Sequence, residues 1–169
     1  MTNEEKVKYQ ELKRQYQKIH QEMIKLNAFA DLPNMSPKQF GETWSEGYIR
    51  SKCPNLVKAN GKGHDFCGKN YNTVEAKSCR KKFTDPKWTI NQVHPNPDES
   101  EAHLLVWYDC DEGTSEKCLI PTTELMKCTM SRQHTRTGAD CFTISSSAHN
   151  REILKKYLVH SWDELNEKV

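Results

Sequence analysis

The densest apolar run in the sequence is HLLVWYDC, from His103 to Cys110. A dense apolar run of this length is typical of a central β-strand that is buried on both faces. Shorter segments with strand character lie on either side of it along the chain: Thr73–Cys79, Lys117–Ile120 and Cys141–Ser145. We therefore expect a sheet of four or five strands, with helices interleaved, in a domain of the α/β class.

Helical segments precede and follow this sheet. Residues Glu4 to Asn27 carry apolar side chains at helical spacing between good helix formers, which predicts a long amphipathic helix. A second helix, from Pro37 to Lys52, carries three aromatic side chains at four-residue spacing: Phe40, Trp44 and Tyr48. Three shorter helices are predicted towards the C-terminus: one from Pro121, one over Arg151–Val159 and one after Ser161.

Length and cysteine spacing limit the class of protein. The chain has 169 residues, which fits a single domain over residues 1–169. No apolar run approaches the roughly 20 residues of a membrane-spanning helix, and the N-terminus lacks the apolar core of a secretory signal, so we expect neither a membrane protein nor an exported one. The seven cysteines are spaced singly, which favours free thiols in a reducing cytoplasm over a zinc site.

The net charge of +2 conceals three segments of alternating sign. The local charge is +5 from Lys58 to Lys87, −7 from Asn96 to Met126, and +4 from Lys127 to Lys156. A positive face formed by the two basic segments would suit a polyanion, with nucleic acid as the first candidate. The alternative is that each charged segment is only a solvated surface.

The residues that carry chemistry lie between His64 and Lys77. Gly68, Lys69 and Asn70 are typical turn residues, so Asp65 to Cys67 can fold back on the strand that begins near Thr73. A hairpin centred on Asn70 places Asp65 directly opposite Glu75, with Cβ atoms about 5 Å apart. Alternation along the strand puts Glu75 and Lys77 on one face.

Two carboxylates at this separation repel each other unless a positive charge lies between them. Oxygen ligands favour Mg²⁺ or Mn²⁺, and Lys77 beside the ion could hold a water molecule or stabilise charge on a phosphate. The pattern therefore suits phosphodiester hydrolysis. The alternative is a surface aspartate beside an ordinary Glu–Lys pair.

The spacing Asp65, nine residues, Glu75-Ala76-Lys77 resembles the signature of the PD-(D/E)xK nuclease superfamily. The residues that follow extend the resemblance to small type II restriction endonucleases: the basic loop Arg80–Lys82, Trp88, the HLLVWYDC strand and IPTTEL. It covers roughly residues 38 to 128, and it departs from the signature where His64 replaces a proline. The resemblance implies a central mixed β-sheet flanked by helices and Mg²⁺-dependent, site-specific hydrolysis of double-stranded DNA that leaves 5′-phosphate ends. It also implies a cytoplasmic prokaryotic protein.

The same resemblance assigns roles to individual residues. Asp65 and Glu75 correspond to metal ligands, and Lys77 to the residue that orients or activates the attacking water. Many members add a carboxylate from the preceding helix, for which Glu46 is the first candidate here and Glu42 the second. Mg²⁺ is the implied cofactor, with Mn²⁺ as a substitute, and the carbonyl of Ala76 is a further possible ligand.

Two basic segments are candidates for contact with DNA. Arg80, Lys81 and Lys82 follow the catalytic strand directly, where phosphate contacts are expected, although a solvated basic turn is the alternative. The later segment contains side chains that recognise guanine or adenine edges in the major groove. Its candidates for base readout are Arg132, Gln133, His134 and Arg136, and an exposed loop without function is the alternative.

The expected organisation follows from these assignments. Residues 1–34 form the N-terminal helix, 36–128 the catalytic core, and 129–169 the DNA-recognition loop with the C-terminal helices. A homodimer facing a short palindromic site is expected, and the N-terminal helix could supply its interface or could pack on its own sheet. Two alternatives remain: a repair or junction-resolving nuclease of the same superfamily, and a DNA-binding module without activity.

Overall fold

The strand predicted at residues 103–110 lies at the centre of the protein. The computed structural model describes residues 2–25, 35–59, 64–133 and 141–169. Strand β5 (Ala102–Asp109) is buried at every position, pairs in parallel with β3 (Val74–Cys79) and pairs antiparallel with β6 (Thr114–Pro121). The α/β class and a mixed central sheet flanked by helices are thereby confirmed.

The other strands are β1 (Val57–Lys58), β2 (Phe66–Cys67), β4 (Thr89–Val93), β7 (Met130–Gln133), β8 (Cys141–Ser145) and β9 (Leu158–Val159). Over the described residues, the central sheet has six strands in the order β1-β2-β3-β5-β6-β9, and a second sheet has three in the order β4-β8-β7. The helices are α1 (Asn3–Lys25), a π-helix (Gln39–Ser45), α2 (Glu46–Lys52), α3 (Thr122–Leu125), α4 (Ala148–Lys155) and α5 (Trp162–Lys168). The prediction of four or five strands was therefore too low.

A helical layer of the π-helix, α2 and α5 covers one face of the central sheet. The three predicted aromatic residues of this layer are buried, and Trp44 stacks on Tyr48 with ring centroids 5.0 Å apart. Tyr108 of β5 meets the Trp44 ring edge-on at 5.1 Å, and its hydroxyl lies 3.0 Å from Ser45 Oγ. This packing fixes the helical layer to β5. The expected continuous α-helix is wrong at its start, where the backbone is π-helical.

The second sheet, together with α3 and α4, covers the opposite face of the central sheet. Ile90 and Ile144 of this sheet pack with Leu105 and Trp107 of β5 in one buried cluster. Asn150 of α4 is fully buried, donates to the carbonyls of residues 129 and 145, and accepts from the amide of residue 129. It thereby ties α4 to the ends of β7 and β8.

One further helix prediction needs correction, at both of its ends. The helix expected over residues 151–159 is α4, which begins earlier because Ser147 Oγ accepts from the amide of Asn150, and which ends before β9. Residues 158 and 159 pair with β6 instead, so long-range strand pairing overrides local helix propensity there.

Five apolar side chains of helix α1 are more than half exposed: Val7, Tyr9, Leu12, Tyr16 and Ile19. Within the described ranges, no helix combines the length and apolar character needed to cross a bilayer.

Candidate active site

Two short strands bring the predicted acids together. Phe66 of β2 pairs with Val74 of β3, and the amide of Asp65 donates to the carbonyl of Val74 over 3.1 Å. This is the register of the predicted hairpin, because it places Asp65 level with Glu75 on the neighbouring strand. Asp65 Oδ2 accepts a hydrogen bond of 2.8 Å from the amide of Ala76, which holds the carboxylate against β3.

Glu75 and Lys77 form an ion pair in the interior. The Lys77 ammonium contacts Glu75 Oε1, and the side chains are only 20% and 10% exposed. Burial raises the pKa of the Glu75 carboxyl, the Lys77 charge opposes that rise, and the Asp65 charge adds to it. The two carboxylates are therefore close enough to interact, and Lys77 is the cation that stabilises Glu75.

Glu46, at the start of α2, belongs to the same electrostatic cluster. Burial raises the pKa of Glu46, and the Asp65 charge raises it further. Its carboxylate also accepts from the Lys58 ammonium over 3.0 Å, which lowers that pKa. Glu42 is exposed and its nearest cation is Lys38, 3.7 Å away. Asp65 thus couples to both Glu46 and Glu75.

A divalent cation could bind to this donor set. Among the described residues, no three Asp, Glu, His or Cys side chains are grouped closely enough to hold a metal by themselves. The available donors are two carboxylates, Asp65 and Glu75, with the Ala76 carbonyl or water to complete the coordination. Their chemistry fits Mg²⁺, which keeps several waters and needs only one or two protein carboxylates. A cation would also relieve the repulsion that raises the pKa of Glu75.

A buried histidine lies beside Glu75 on the next strand. His103 pairs with Glu75 across β3 and β5, and burial lowers its pKa to about 4. Its Nδ1 lies 3.0 Å from the Thr122 hydroxyl, which itself donates to the carbonyl of Ser100. Because the single proton of this hydroxyl is donated to Ser100, the hydroxyl oxygen accepts from His103, and Nδ1 carries the proton of the ring. With its lowered pKa, His103 is neutral near pH 7.

The acids border a cleft of about 1280 Å³ between the helical layer and the second sheet. Asp65, Glu46 and Lys77 line it, whereas Glu75 is buried and contacts this lining through Lys77. The second sheet and the loop before it supply residues that the sequence analysis did not assign: Lys87, Asn91, Gln92, Ser145 and Ser146. The buried residues of TINQV, Ile90 and Val93, lie three positions apart, so this strand lacks the period-two alternation that would have identified it from the sequence.

The predicted DNA contacts are distributed unevenly around this cleft. Arg80, Lys81 and Gln133 line it. Lys82 does not, because its ammonium forms a 2.6 Å ion pair with Asp109. Arg132 follows Ser131 on β7, is exposed and lies outside the cleft lining. The predicted His134 and Arg136 lie outside the described residues.

Hydrogen bonds engage two of the residues that line the cleft. Arg80 Nη1 donates to the carbonyl of Met35 over 2.8 Å, and its guanidinium lies 4.9 Å from the centre of the Phe40 ring. The Gln133 carboxamide bonds to residues 91 and 92 of β4. Lys81 is exposed and makes no hydrogen bond through its side chain to the described residues, so it is the member of the basic loop best placed to meet a ligand.

The seven cysteines are all free thiols. Burial raises the pKa of Cys53 to about 11 and that of Cys79 to about 12, so both are protonated at neutral pH and unsuited to nucleophilic catalysis. Cys79, which lines the cleft, is therefore not suited to supply a nucleophile there.

The sequence matches no protein-family model and no curated protein. The activity of the chain must therefore be inferred from the chemistry of this cleft.

Proposed function

We propose that this chain is a Mg²⁺-dependent endonuclease with a PD-(D/E)xK core, acting as a type II restriction enzyme on double-stranded DNA. The observation that carries the proposal is the placement of Asp65, Glu75 and Lys77 on one hairpin beside the cleft. Glu75 lies in β3 and Asp65 directly precedes β2, and the register of the hairpin brings the two acids level. The cleft is large enough to admit a segment of nucleic-acid backbone.

Each residue has a distinct role in the proposed hydrolysis. Asp65 and Glu75 would hold Mg²⁺, with Glu46 near Asp65 as an additional carboxylate that acts through water, and the bound ion would neutralise the scissile phosphate and acidify a water molecule. Lys77 orients the attacking water and stabilises the negative charge that develops on the phosphate. The Asp65 carboxylate keeps its position through the Ala76 amide.

Basic side chains around the cleft support a polyanionic substrate. Lys38, Arg80, Lys81 and Lys87 line the cleft on both sides of the acids. Without a bound cation, the acids would repel a phosphate. The four positive charges around them offset this repulsion and favour a ligand that carries several phosphates. A DNA duplex meets this requirement.

A homodimer is proposed because both strands of a duplex must be cut. Tyr9, Leu12, Tyr16 and Ile19 of α1 follow a three-four-three spacing, which is the spacing of a coiled-coil interface. All four are between 54% and 57% exposed, so the face they form is accessible to a second copy of the chain.

Charges flanking this face favour antiparallel pairing of the two helices. With Tyr9 of one copy level with Ile19 of the other, the Lys8 side chain lies opposite Glu22, and the symmetry repeats this attraction. A parallel pair would instead place Lys8 near Lys13 and repel. We therefore assign the α1 face to an antiparallel dimer of this chain.

Digestion of a sequenced plasmid tests the proposed activity. With Mg²⁺ the chain should yield discrete fragments with 5′-phosphate ends, and Lys77→Met should abolish them while the matched hairpin variant Lys69→Met, at an exposed turn position, should not. Cutting of branched or damaged DNA alone would support a repair or junction-resolving nuclease. Binding in Ca²⁺ without any cleavage in Mg²⁺ would support a module without activity, and the proposed enzyme would then be refuted.

A further inference from the structure

A bulge in β4 gives one residue that lines the cleft an unusual backbone conformation. Ile90 pairs with Ile144 of β8 and Val93 pairs with Phe142, so β4 has one more residue than its partner over this interval. Gln92 lies in the bulge with φ of 57° and is the one non-glycine residue with positive φ in the described part of the chain. Such a backbone is unfavourable for glutamine and persists only where surrounding contacts impose it.

A network of hydrogen bonds imposes this conformation. The amide of Gln92 donates to Gln133 Oε1 over 2.8 Å, and Gln133 Nε2 donates to Asn91 Oδ1 over 3.2 Å. The hydroxyl of Thr143 donates to the same Asn91 oxygen over 3.0 Å, and Cys141 Sγ lies 3.5 Å from Gln133 Oε1. Gln133 of β7 thus holds the backbone of Gln92 directly, and residues of β4 and β8 hold the Gln133 carboxamide in place.

The side chain of Gln92 remains available for a ligand. It is exposed, it lines the same cleft as Lys77, and it makes no hydrogen bond to any residue that the structure describes. Gln133, which also lines the cleft, uses its carboxamide to hold the bulge. Of the three carboxamides that line the cleft, those of Asn91 and Gln133 bond to each other, and that of Gln92 is presented outward.

We propose that Gln92 recognises a base edge, with adenine in the major groove as its ligand and Gln133 as its positioning residue. This inference rests on the proposed function, because it requires duplex DNA in the cleft. A carboxamide presents one donor and one acceptor side by side, which matches N7 and N6 of adenine. A phosphate has acceptors only and would be met better by the neighbouring Lys87.

The location of the bulge is consistent with contact between Gln92 and the bases of a duplex. Lys77 and Gln92 come from the two sheets on different sides of one cleft, so a duplex whose backbone meets Lys77 can turn its groove towards β4. A rigid bulge discriminates better than a flexible loop, because little conformational freedom is lost on binding.

Selection from a library of randomised duplexes tests the assignment. The full chain is bound to the library in Ca²⁺, and the retained duplexes are sequenced for the parent, Gln92→Gly, Gln92→Glu and the exposed control Gln17→Ala. Glycine removes the carboxamide and relieves the backbone, whereas glutamate keeps the length and offers only acceptors, which suits the N4 donor of cytosine.

The expected result is a change at one position of the selected site, repeated by symmetry. The parent and Gln17→Ala should prefer adenine there at least tenfold, Gln92→Gly should prefer it less than threefold, and Gln92→Glu should move towards cytosine. Unchanged adenine preference in both Gln92 variants would overturn the inference while leaving the nuclease intact. A parent chain that binds no duplex would overturn the proposed function as well. If Gln92→Gly fails to fold, the base preference of Gln92→Glu alone decides the outcome.

Discussion

Removing the Lys77 charge separates the structural role of the buried ion pair from its proposed catalytic role. Lys77→Met keeps the length of the side chain but leaves the Glu75 carboxylate, which is 10% exposed, without its cation. Breaking a fully buried pair in this way costs roughly 3–5 kcal/mol of unfolding free energy. Because Lys77 itself is 20% exposed and solvent screens part of its charge, we expect a loss of about 2–3 kcal/mol near pH 8.

The loss should depend on pH in a direction set by Glu75. Its pKa is already raised by burial, and the Lys77 charge lowers it, so the variant raises it further. A carboxyl whose pKa is raised by folding becomes destabilising as the pH rises from its unfolded value of about 4.3 through the folded value. The difference between parent and variant should therefore be small below pH 4 and largest above the folded pKa.

Thermal unfolding at pH 4 and pH 8 measures this difference. A loss of about 2–3 kcal/mol corresponds to a melting temperature lower by roughly 5–10 °C at pH 8 for a chain of this size. The double variant Lys77→Met with Glu75→Gln removes both charges and should recover to within about 1 kcal/mol of the parent. Both variants should lose at least about 100-fold in cleavage rate, because each lacks the proposed lysine.

Two results would refute this reasoning. A stability loss in Lys77→Met that is equal at both pH values would mean that the Glu75 carboxylate does not depend on the Lys77 charge. A double variant as unstable as the single one would mean that Lys77 acts through packing of its stem.

Three further predictions follow from other contacts. The affinity of the protein for Mg²⁺ should decrease as the pH is lowered, because Mg²⁺ requires the deprotonated Glu75 carboxylate, and the decrease should begin above the usual pKa range of a glutamate. Calorimetric titrations in which the affinity decreases only below pH 4 would contradict this. Lys8→Glu should weaken the dimer at least tenfold in sedimentation equilibrium and adding Glu22→Lys should restore it, whereas a stronger Lys8→Glu dimer would indicate parallel helices. Asn150→Ala removes three buried hydrogen bonds to the backbones of β7 and β8 and should lower the unfolding free energy by about 3 kcal/mol; a loss below about 1 kcal/mol in urea unfolding would show that these contacts do not hold the second sheet.

Local patterns were sufficient for the central elements and for the hairpin. The apolar run at 103–110 marked β5 because only a strand covered on both faces tolerates such a run. The turn residues between Asp65 and Glu75 set the register, since the length of a hairpin loop decides which residues face each other. Both features depend on neighbours within about ten residues.

The second sheet could not be predicted in the same way. Strand β4 pairs with β8, which lies far away along the chain, and the bulge at Gln92 arises from that pairing and from Gln133 of β7. The polar residues 131–133 suggested an exposed loop, yet they lie in strand β7, because they pair with the edge of β8. No local pattern carries information about that partner.

The sequence alone therefore determined the class of fold, the central strand and the three residues proposed for catalysis, because periodicity and turn chemistry act over short distances. The tertiary structure decided which side chains border the cleft, that Lys82 is engaged by Asp109, and that Gln92 is held with an unusual backbone. Those features depend on contacts between segments far apart in the chain, whose relative placement is set by packing of the two sheets and the helices against each other.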